Sequence, residues 1–308
     1  RLPLPAALAR TWLCLALVPL LGSLVTEPAA MTLAALMLGP LVFRPEVPER
    51  MKYAALGTLF VNVSIGGLLT SFAAPPVLMV AATWQWDSAF MLAQFGWKAA
   101  VAVVINATLA TLALRPHLLN APADPAEAAE APVPLTVVAV HLALLATVVV
   151  FAHHPVVFLG VFLLFMGYTQ AYDRHQSPLI LKEALLVAFF LAGLVVLGGM
   201  QQWWLQPIVS GLEPLALFLG ALGLTAITDN AALTYLGSLI SGLSDEARYL
   251  LVAGAVAGGG LTVIANAPNP AGVALLREGF EDGTVGVLPL LLGALAPTAV
   301  AAAALLLL

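Results

Sequence analysis

Charged residues are scarce in this sequence, since Asp, Glu, Lys and Arg together make up 9% of its 308 residues while 62% are hydrophobic. A soluble domain of this length could not bury so much apolar surface. The mean hydropathy of +1.03 agrees with that conclusion. The composition therefore excludes a soluble globular protein and predicts an all-α polytopic membrane protein in a lipid bilayer.

Cysteine is almost absent as well, and the motifs of several enzyme classes are missing. Cys14 is the single cysteine, which excludes an internal disulfide or a cysteine-ligated metal site. The sequence has no Gly-rich phosphate loop ending in Lys and Ser or Thr, no His-Glu-x-x-His motif and no paired intramembrane aspartates. We therefore expect no enzyme, no cofactor, no transition metal and no nucleic-acid partner.

What the sequence does contain is a polar motif that occurs twice in apolar surroundings. Segment 26–32 reads TEPAAMT and segment 228–234 reads TDNAALT, with a carboxylate at the second position of each. A second pair of segments follows in the same order, namely GGLLTSFAAPP at 66–76 and GGGLTVIANAP at 258–268. Two motifs that recur in the same order indicate an internal duplication.

Apolar stretches of membrane length alternate with shorter ones beside Pro, Gly or a carboxylate. We interpret the short stretches as hairpin arms and half-helices. The predicted fold is two inverted repeats, each with a re-entrant helical hairpin and a broken transmembrane helix. The first repeat covers 1–114, with a hairpin at 11–43, a broken helix at 52–84 and a helix at 92–114. The second covers 135–308, with helices in 135–200, a hairpin at 211–243, a broken helix at 247–276 and a helix at 285–308.

Lys and Arg are unevenly distributed across this topology. One side of the membrane carries Arg1, Arg10, Arg44, Arg50, Lys52, Arg115, Arg174, Lys182 and Arg277, and the other carries Lys98 and Arg248. The positive-inside rule places the first side in the cytoplasm, and we expect a bacterial inner membrane. The Pro-rich segment 115–134 is then a flexible cytoplasmic linker. Because the sequence begins with Arg rather than Met, we expect further helices to precede it.

The duplicated carboxylates point to ion transport. A Glu or Asp at the bilayer centre costs about 2.5 to 3.5 kcal/mol, so Glu27 and Asp229 are expected to face the protein interior and to bind a cation or a proton. Glycine and proline in the second motif pair break a helix and release backbone carbonyls. Broken helices near the midplane hold sodium in secondary transporters.

Segment 227–234 followed by 258–269 resembles the ion transporter superfamily, which includes divalent anion:sodium symporters, and is most similar to its putative Na+/H+ antiporter family. The resemblance implies an elevator-type transporter of Na+ and H+, often a homodimer. It implies one sodium site that involves Thr26, Glu27, Pro28, Thr70, Ala73 and Ala74. It implies a second that involves Thr228, Asp229, Asn230, Thr262, Ala265 and Asn266, to which we add Asn269.

Three functions stay open at this point. Two carboxylates would repel a dicarboxylate, which favours Na+/H+ exchange. The alternative is a sodium-coupled symporter of a carboxylate or oxyanion, with amides from Asn230, Asn266 and Asn269, although no Lys or Arg lies near either motif. A structural membrane subunit would not need duplicated carboxylates. Each carboxylate could also serve its helix start, Glu27 through the helix dipole and Asp229 as a cap.

Isolated polar residues elsewhere in the apolar runs are predicted to be structural. Asn62, Asn106 and His141 are interpreted as interhelical hydrogen bonders and not as ion ligands.

Overall fold

The computed structural model describes residues 5–119, 133–151, 154–176, 179 and 181–308. All regular elements in these residues are helical, which confirms the all-α class. The α-helices are α1 (Ala6–Leu15), α2 (Leu17–Val25), α3 (Glu27–Val42), α4 (Glu49–Gly66), α5 (Pro75–Trp84), α6 (Ser88–Met91), α7 (Trp97–Leu118), α8 (Leu135–Val150), α9 (Pro155–Ala171), α10 (Leu181–Gly198), α11 (Gln202–Val209), α12 (Pro214–Thr225), α13 (Asn230–Ser238), α14 (Asp245–Gly258), α15 (Asn269–Leu276) and α16 (Val287–Leu307).

Four helical stretches in the described residues are long and apolar enough to cross a bilayer. They are Ala6–Val25, Glu49–Leu69, Ser88–Leu118 and Val287–Leu307. A fifth crossing results if α10 and α11, which are bent by 79°, are counted as one span. The prediction of a polytopic membrane protein is therefore confirmed.

The chain divides into two compact units. One comprises Arg1–Pro122 and Phe189–Leu308, and the other comprises Ala123–Ala188. Both duplicated motif pairs lie in the first unit. In the second unit, α8 packs against α9, and His141 on α8 shares a 2.9 Å hydrogen bond with Gln176.

Two helix pairs in the first unit carry the first motif of each pair at their tips. α2 and α3 pack against each other, and the chain turns between them at Thr26. α12 and α13 pack against each other in the same way, and the chain turns between them just before Asn230. We call these pairs the first and second hairpin.

Two helices are interrupted where the second motif predicts it. α4 ends at Gly66, a short 3₁₀ turn follows, and helix resumes at Pro75. α14 ends at Gly258, and helix resumes at Asn269. Glycine weakens a helix and proline at a helix start is compatible with it, so these residues stop one helix and begin the next. We call the interruptions the first and second break.

The helices that lead into the breaks form the centre of this unit. Every residue is buried over 55–68 in the first case and over 251–261 in the second. A helix that is buried all round belongs to the interior of a protein. Close packing is possible because glycines face neighbouring backbones, as Gly57 does towards Ala294 and Gly254 does towards Phe218. Both helices therefore reach their breaks through the densely packed interior of this unit.

A pair of buried asparagines ties four helices together. Asn62 on α4 donates to Leu15 O at 2.8 Å, and Asn106 on α7 donates to Asn62 Oδ1 at 3.0 Å and to Pro297 O at 3.1 Å. These bonds join α1, α4, α7 and α16. They confirm Asn62 and Asn106 as interhelical hydrogen bonders.

One helix extends beyond its predicted end. α7 continues through Arg115 to Leu118, whereas the linker is predicted to begin at residue 115. Leu114 and Leu118 are buried and hold the last turn in place. Segment 120–132 of the predicted linker lies outside the described residues.

Candidate ion-binding site

The tip of each hairpin contacts the opposite half of the chain. α3 packs against α15, which follows the second break, and α13 packs against α5, which follows the first break. The side chains at the tips also contact the opposite half. Glu27 accepts a hydrogen bond from Asn266, and Asn230 donates one to Ser64 on α4. The site is therefore built jointly by both halves.

Glu27 is the first residue of α3 and is 0% exposed. Its Oε2 accepts a 2.8 Å hydrogen bond from Asn266 Nδ2, while Oε1 has no hydrogen-bond partner in the described part of the chain. None of the ion pairs between described residues involves Glu27. A buried carboxylate without a positive partner costs several kcal/mol, so this group requires either a proton or a bound cation.

Gly67 at the first break is what allows Glu27 to fit. A Cβ atom at Gly67 would lie 2.7 Å from Glu27 Oε1 and 3.0 Å from Glu27 Cγ. It would also lie 3.1 Å from the Cβ of Ala74. A side chain here would displace the carboxyl group, so the glycine serves the site as well as the helix break.

Three buried asparagines surround the second break. Asn230 and Asn269 are 0% exposed and Asn266 is 1% exposed. Asn269 Nδ2 donates to Gly259 O at 2.8 Å and to Thr262 O at 2.9 Å. Gly259 also faces the Asn230 amide, because a Cβ atom there would lie 2.8 Å from Asn230 Nδ2. The side chains of Asn230 and Asn269 thus both lie against Gly259 at the second break.

The orientation of each amide is set by its donor atoms. Asn269 Nδ2 bonds two backbone carbonyls, which only an N–H group can do. Asn266 Nδ2 bonds the Glu27 carboxyl group, and Asn230 Nδ2 bonds Ser64 Oγ at 3.3 Å, whose own proton goes to Val256 O at 2.8 Å. In each case the amide nitrogen is used and the oxygen remains free.

Four of the buried oxygens that lack a hydrogen-bond partner among the described residues belong to these side chains, and the other four are threonine hydroxyls. The first four are Glu27 Oε1, Asn230 Oδ1, Asn266 Oδ1 and Asn269 Oδ1. An unsatisfied buried polar group costs about 1 to 3 kcal/mol. Carboxylate and amide oxygens are the ligands that hard cations prefer, so these side chains are the candidates for cation binding.

Asp229 has a different role from Glu27. It precedes α13, is half-buried, and its Oδ1 accepts from Ala231 N at 2.8 Å and from Ala232 N at 3.0 Å. These are the bonds of a helix N-cap. The cap predicted for Asp229 is therefore present.

When the two hairpins are aligned by their helix starts, the residues that correspond differ by one position from those aligned by the sequence motif. Glu27 and Asn230 are each the first helical residue, and both are fully buried. The positions four residues further on agree as well, since Met31 and Thr234 are both 0% exposed. The structural counterpart of Glu27 is therefore Asn230, and that of Asp229 is Thr26.

The two motif threonines at the breaks bond the hairpins. Thr70 Oγ1 donates to Ser23 O at 2.7 Å, and Thr262 Oγ1 donates to Ala226 O at 2.8 Å. Each break is thereby tied to the first arm of the hairpin in its own half. Both hydroxyl protons are used within the protein.

The other predicted residues contribute backbone or packing. Ala73, Ala74 and Ala265 are buried at the breaks, and Pro28 is half-buried in the first turn of α3. Thr228 is exposed, and its hydroxyl donates to Leu224 O at 2.8 Å within its own segment. Thr228 is thus the one predicted residue that the structure leaves at the surface.

Sequence reasoning missed two serines that position the site. Ser64 orients the Asn230 amide, and Ser23 donates to Gly66 O at 2.7 Å while it accepts from Leu69 N at 2.9 Å. Both are fully or almost fully buried. Ser64 lies two residues before the Gly-Gly motif, and Ser23 lies three residues before the first hairpin tip at Thr26. A hydroxyl at such a position was the sequence feature that could have indicated them.

Membrane-length helices, two breaks and a buried set of oxygens define an all-α integral membrane protein with the features of a cation transporter. The whole chain, residues 1–308, matches the family model described as putative Na+/H+ antiporter, and the protein belongs to that family. It is thus a membrane transporter of this general kind, and the predicted family is confirmed. No curated protein matches the chain.

Proposed function

We propose that the protein exchanges Na+ for H+ across the membrane and that Glu27 is the group at which the two ions compete. The observation that carries the proposal is the set of four buried, unpartnered oxygens of Glu27, Asn230, Asn266 and Asn269. These four atoms are acceptors, and none of the four side chains carries a positive charge. Acceptors bind a cation and not an anion.

The chemistry needs one carboxyl group that changes partner. With a proton, Glu27 is neutral and stable in its apolar surroundings; with Na+, the carboxylate charge is compensated and the amide oxygens complete the coordination. An empty carboxylate would be the costly state. Exchange is favoured over unaccompanied movement of either ion because the site is stable only when one of them is bound.

The rival function, symport of sodium with a carboxylate or oxyanion, requires donors. No Lys or Arg lies near either motif, Asn269 Nδ2 already bonds two backbone carbonyls, and Asn266 Nδ2 bonds the Glu27 carboxyl group. An added anion would also meet the Glu27 carboxylate. The site therefore favours exchange, and we propose that it operates in an elevator-type cycle in a bacterial inner membrane, as the family resemblance implies.

Reconstitution in proteoliposomes that contain a pH-sensitive dye tests this proposal. Addition of NaCl outside should drive protons out of the lumen, and Glu27→Gln should abolish the signal because the amide retains the shape but cannot release a proton. Glu46→Gln is the matched control, since Glu46 is an exposed glutamate between α3 and α4. A normal sodium response in Glu27→Gln would refute the role of Glu27. Silence with sodium combined with uptake of labelled dicarboxylate would assign the protein to the symporters.

A further inference from the structure

A groove of about 490 Å³ lies between α1 and α7 in the first unit. Its walls are mostly apolar, with Leu8 and Trp12 on α1 and Leu112 on α7. Its volume falls in the range of ligand-binding clefts, and no Asp or Glu is among the described residues that line it. The groove therefore suits an apolar ligand and has no charge that would repel an anion.

The groove runs along α7 and ends at Arg115. Thr108, Leu112 and Arg115 line it at spacings of four and three residues, so they share one face of the helix. The helix rises about 10 Å between Thr108 and Arg115, at about 1.5 Å per residue. Trp12 joins the two helices at the Thr108 end, where its Nε1 donates to Thr108 Oγ1 at 3.0 Å. The groove thus has an apolar body and a positive charge at its other end.

Arg115 lies near the end of a membrane-length stretch, Ser88–Leu118. This stretch has 31 residues and is longer than the roughly 20 needed to cross the hydrocarbon core, so its ends reach the headgroup layer. Arg115 is exposed, and its guanidinium makes no hydrogen bond or ion pair with any described residue. A guanidinium at this depth is at the level of lipid phosphates, which it can bind in a bidentate manner.

A second arginine adds positive charge at this end of α7. Arg44 Nη2 donates to His117 O at 3.4 Å, two residues beyond Arg115. The carboxylate of Glu46 lies 3.9 Å from Arg44, and the Glu46 side chain is 71% exposed, so water screens much of this pair. The remaining positive charge favours a lipid of net negative charge over a zwitterionic one, whose own cation would be repelled.

We propose that this groove binds an anionic phospholipid, with its phosphate at Arg115 and one acyl chain along Leu112 and Trp12. Basic pockets between membrane helices are places where anionic lipid head groups bind. None of the residues that line the groove belongs to a hairpin tip or a break. The site is therefore additional to the candidate ion-binding site, and the inference does not depend on Na+/H+ exchange.

Native mass spectrometry of the full-length protein in detergent tests the proposal by titration with dioleoyl phosphatidylglycerol or dioleoyl phosphatidylcholine. The wild type should bind one phosphatidylglycerol about tenfold more tightly than phosphatidylcholine, as a charge-assisted contact to the phosphate allows. Arg115→Gln should remove this preference. Arg50→Gln is the matched control, because Arg50 is also exposed on the side predicted to be cytoplasmic and does not line the groove.

A second pair of variants tests the place of the acyl chain. Leu112 and Leu109 on α7 are 58% and 56% exposed, and of the two only Leu112 lines the groove. Leu112→Trp should weaken phosphatidylglycerol binding about tenfold, the loss expected when about two methylenes leave the groove. Leu109→Trp should bind as the wild type does.

Equal affinities for the two lipids in the wild type would overturn the proposal. The same loss of preference in Arg115→Gln and Arg50→Gln would also overturn it, because binding would then follow the general surface charge. Equal weakening in the two tryptophan variants would remove the acyl chain from the groove. Since the preference is a ratio of two affinities, a lower yield of folded protein would not imitate its loss.

Discussion

The two hairpin tips come from similar sequences and differ in how the chain turns. At the first tip, Thr26 has φ of 84° and ψ of 152°, and Glu27 points into the core as the first residue of α3. At the second tip, Asp229 has an ordinary extended backbone and caps α13, while Asn230 occupies the buried position. A one-residue difference in helix start thus separates a tip that buries a carboxyl group from one that buries a neutral amide.

The largest effect is expected from Gly67→Ala at the first tip. The added methyl group would meet Glu27 Oε1 and Cγ and force the carboxyl group away from Asn266. Loss of a hydrogen bond to a charged group together with misplacement should lower sodium-dependent proton flux about 100-fold. Gly223→Ala in α12 is the control, since its Cβ would enter open space. Equal flux in both variants would separate Gly67 from the site.

Asn230→Asp would make the second tip resemble the first. It places a second carboxyl group at the structural counterpart of Glu27, beside Ser64. A second buried carboxyl group can carry a second proton, so the number of protons exchanged per Na+ should rise. The measurement is the Na+ gradient that balances proton flux in proteoliposomes, which should shift about fifty-fold at 100 mV if one net charge then crosses per cycle. If the balancing gradient of Asn230→Asp equals that of the wild type at 100 mV, a carboxyl group at this position takes no part in the exchange.

Thr26→Gly should remove strain from the first tip. The observed backbone angles are almost restricted to glycine and cost other residues about 1 to 3 kcal/mol, so after allowance for glycine entropy we expect a gain of about 1 kcal/mol in stability. Thermal unfolding in detergent measures the change. Thr228→Gly at the second tip, where no positive φ is present, should lower the melting temperature. A fall in both variants would argue against strain at Thr26.

The smallest effect is expected at the cap of the second tip. Asp229→Ala removes the acceptor for Ala231 N and Ala232 N and should cost about 1 kcal/mol of stability. Asp229→Asn retains a capping oxygen and should melt close to the wild type. Identical melting of the two variants would show that capping is not what Asp229 contributes.

Much of the fold could be predicted from local sequence, because long apolar runs make membrane helices and Gly or Pro interrupts them. Residues near the first break, such as Gly67 and Thr70, were located for this reason. The sequence motif aligns Asp229 with Glu27, but it does not predict which residue of the second tip is buried. Asp and Asn are both good N-caps, and the sequence does not fix which one begins the helix. That choice is decided by packing of the buried face of α13.

The contacts between the two halves were beyond local reasoning. Glu27 and Asn266 are 239 positions apart, and the hydrogen bond between them depends on how α3 and α15 pack. The repeated motif indicated which residue types would carry the chemistry. It did not indicate that each tip would find its partner in the opposite half, so Ser64 was overlooked.

The distance along the chain between Glu27 and Asn266 also has a consequence for biosynthesis. When α3 enters the bilayer, the ribosome has not yet synthesised Asn266. Glu27 therefore lacks its amide partner until that part of the chain is made. A carboxyl group enters an apolar phase most cheaply in its neutral form. Under the proposed function, a proton is then the first ligand that Glu27 receives, and it keeps the carboxyl group neutral until the second half of the molecule is made.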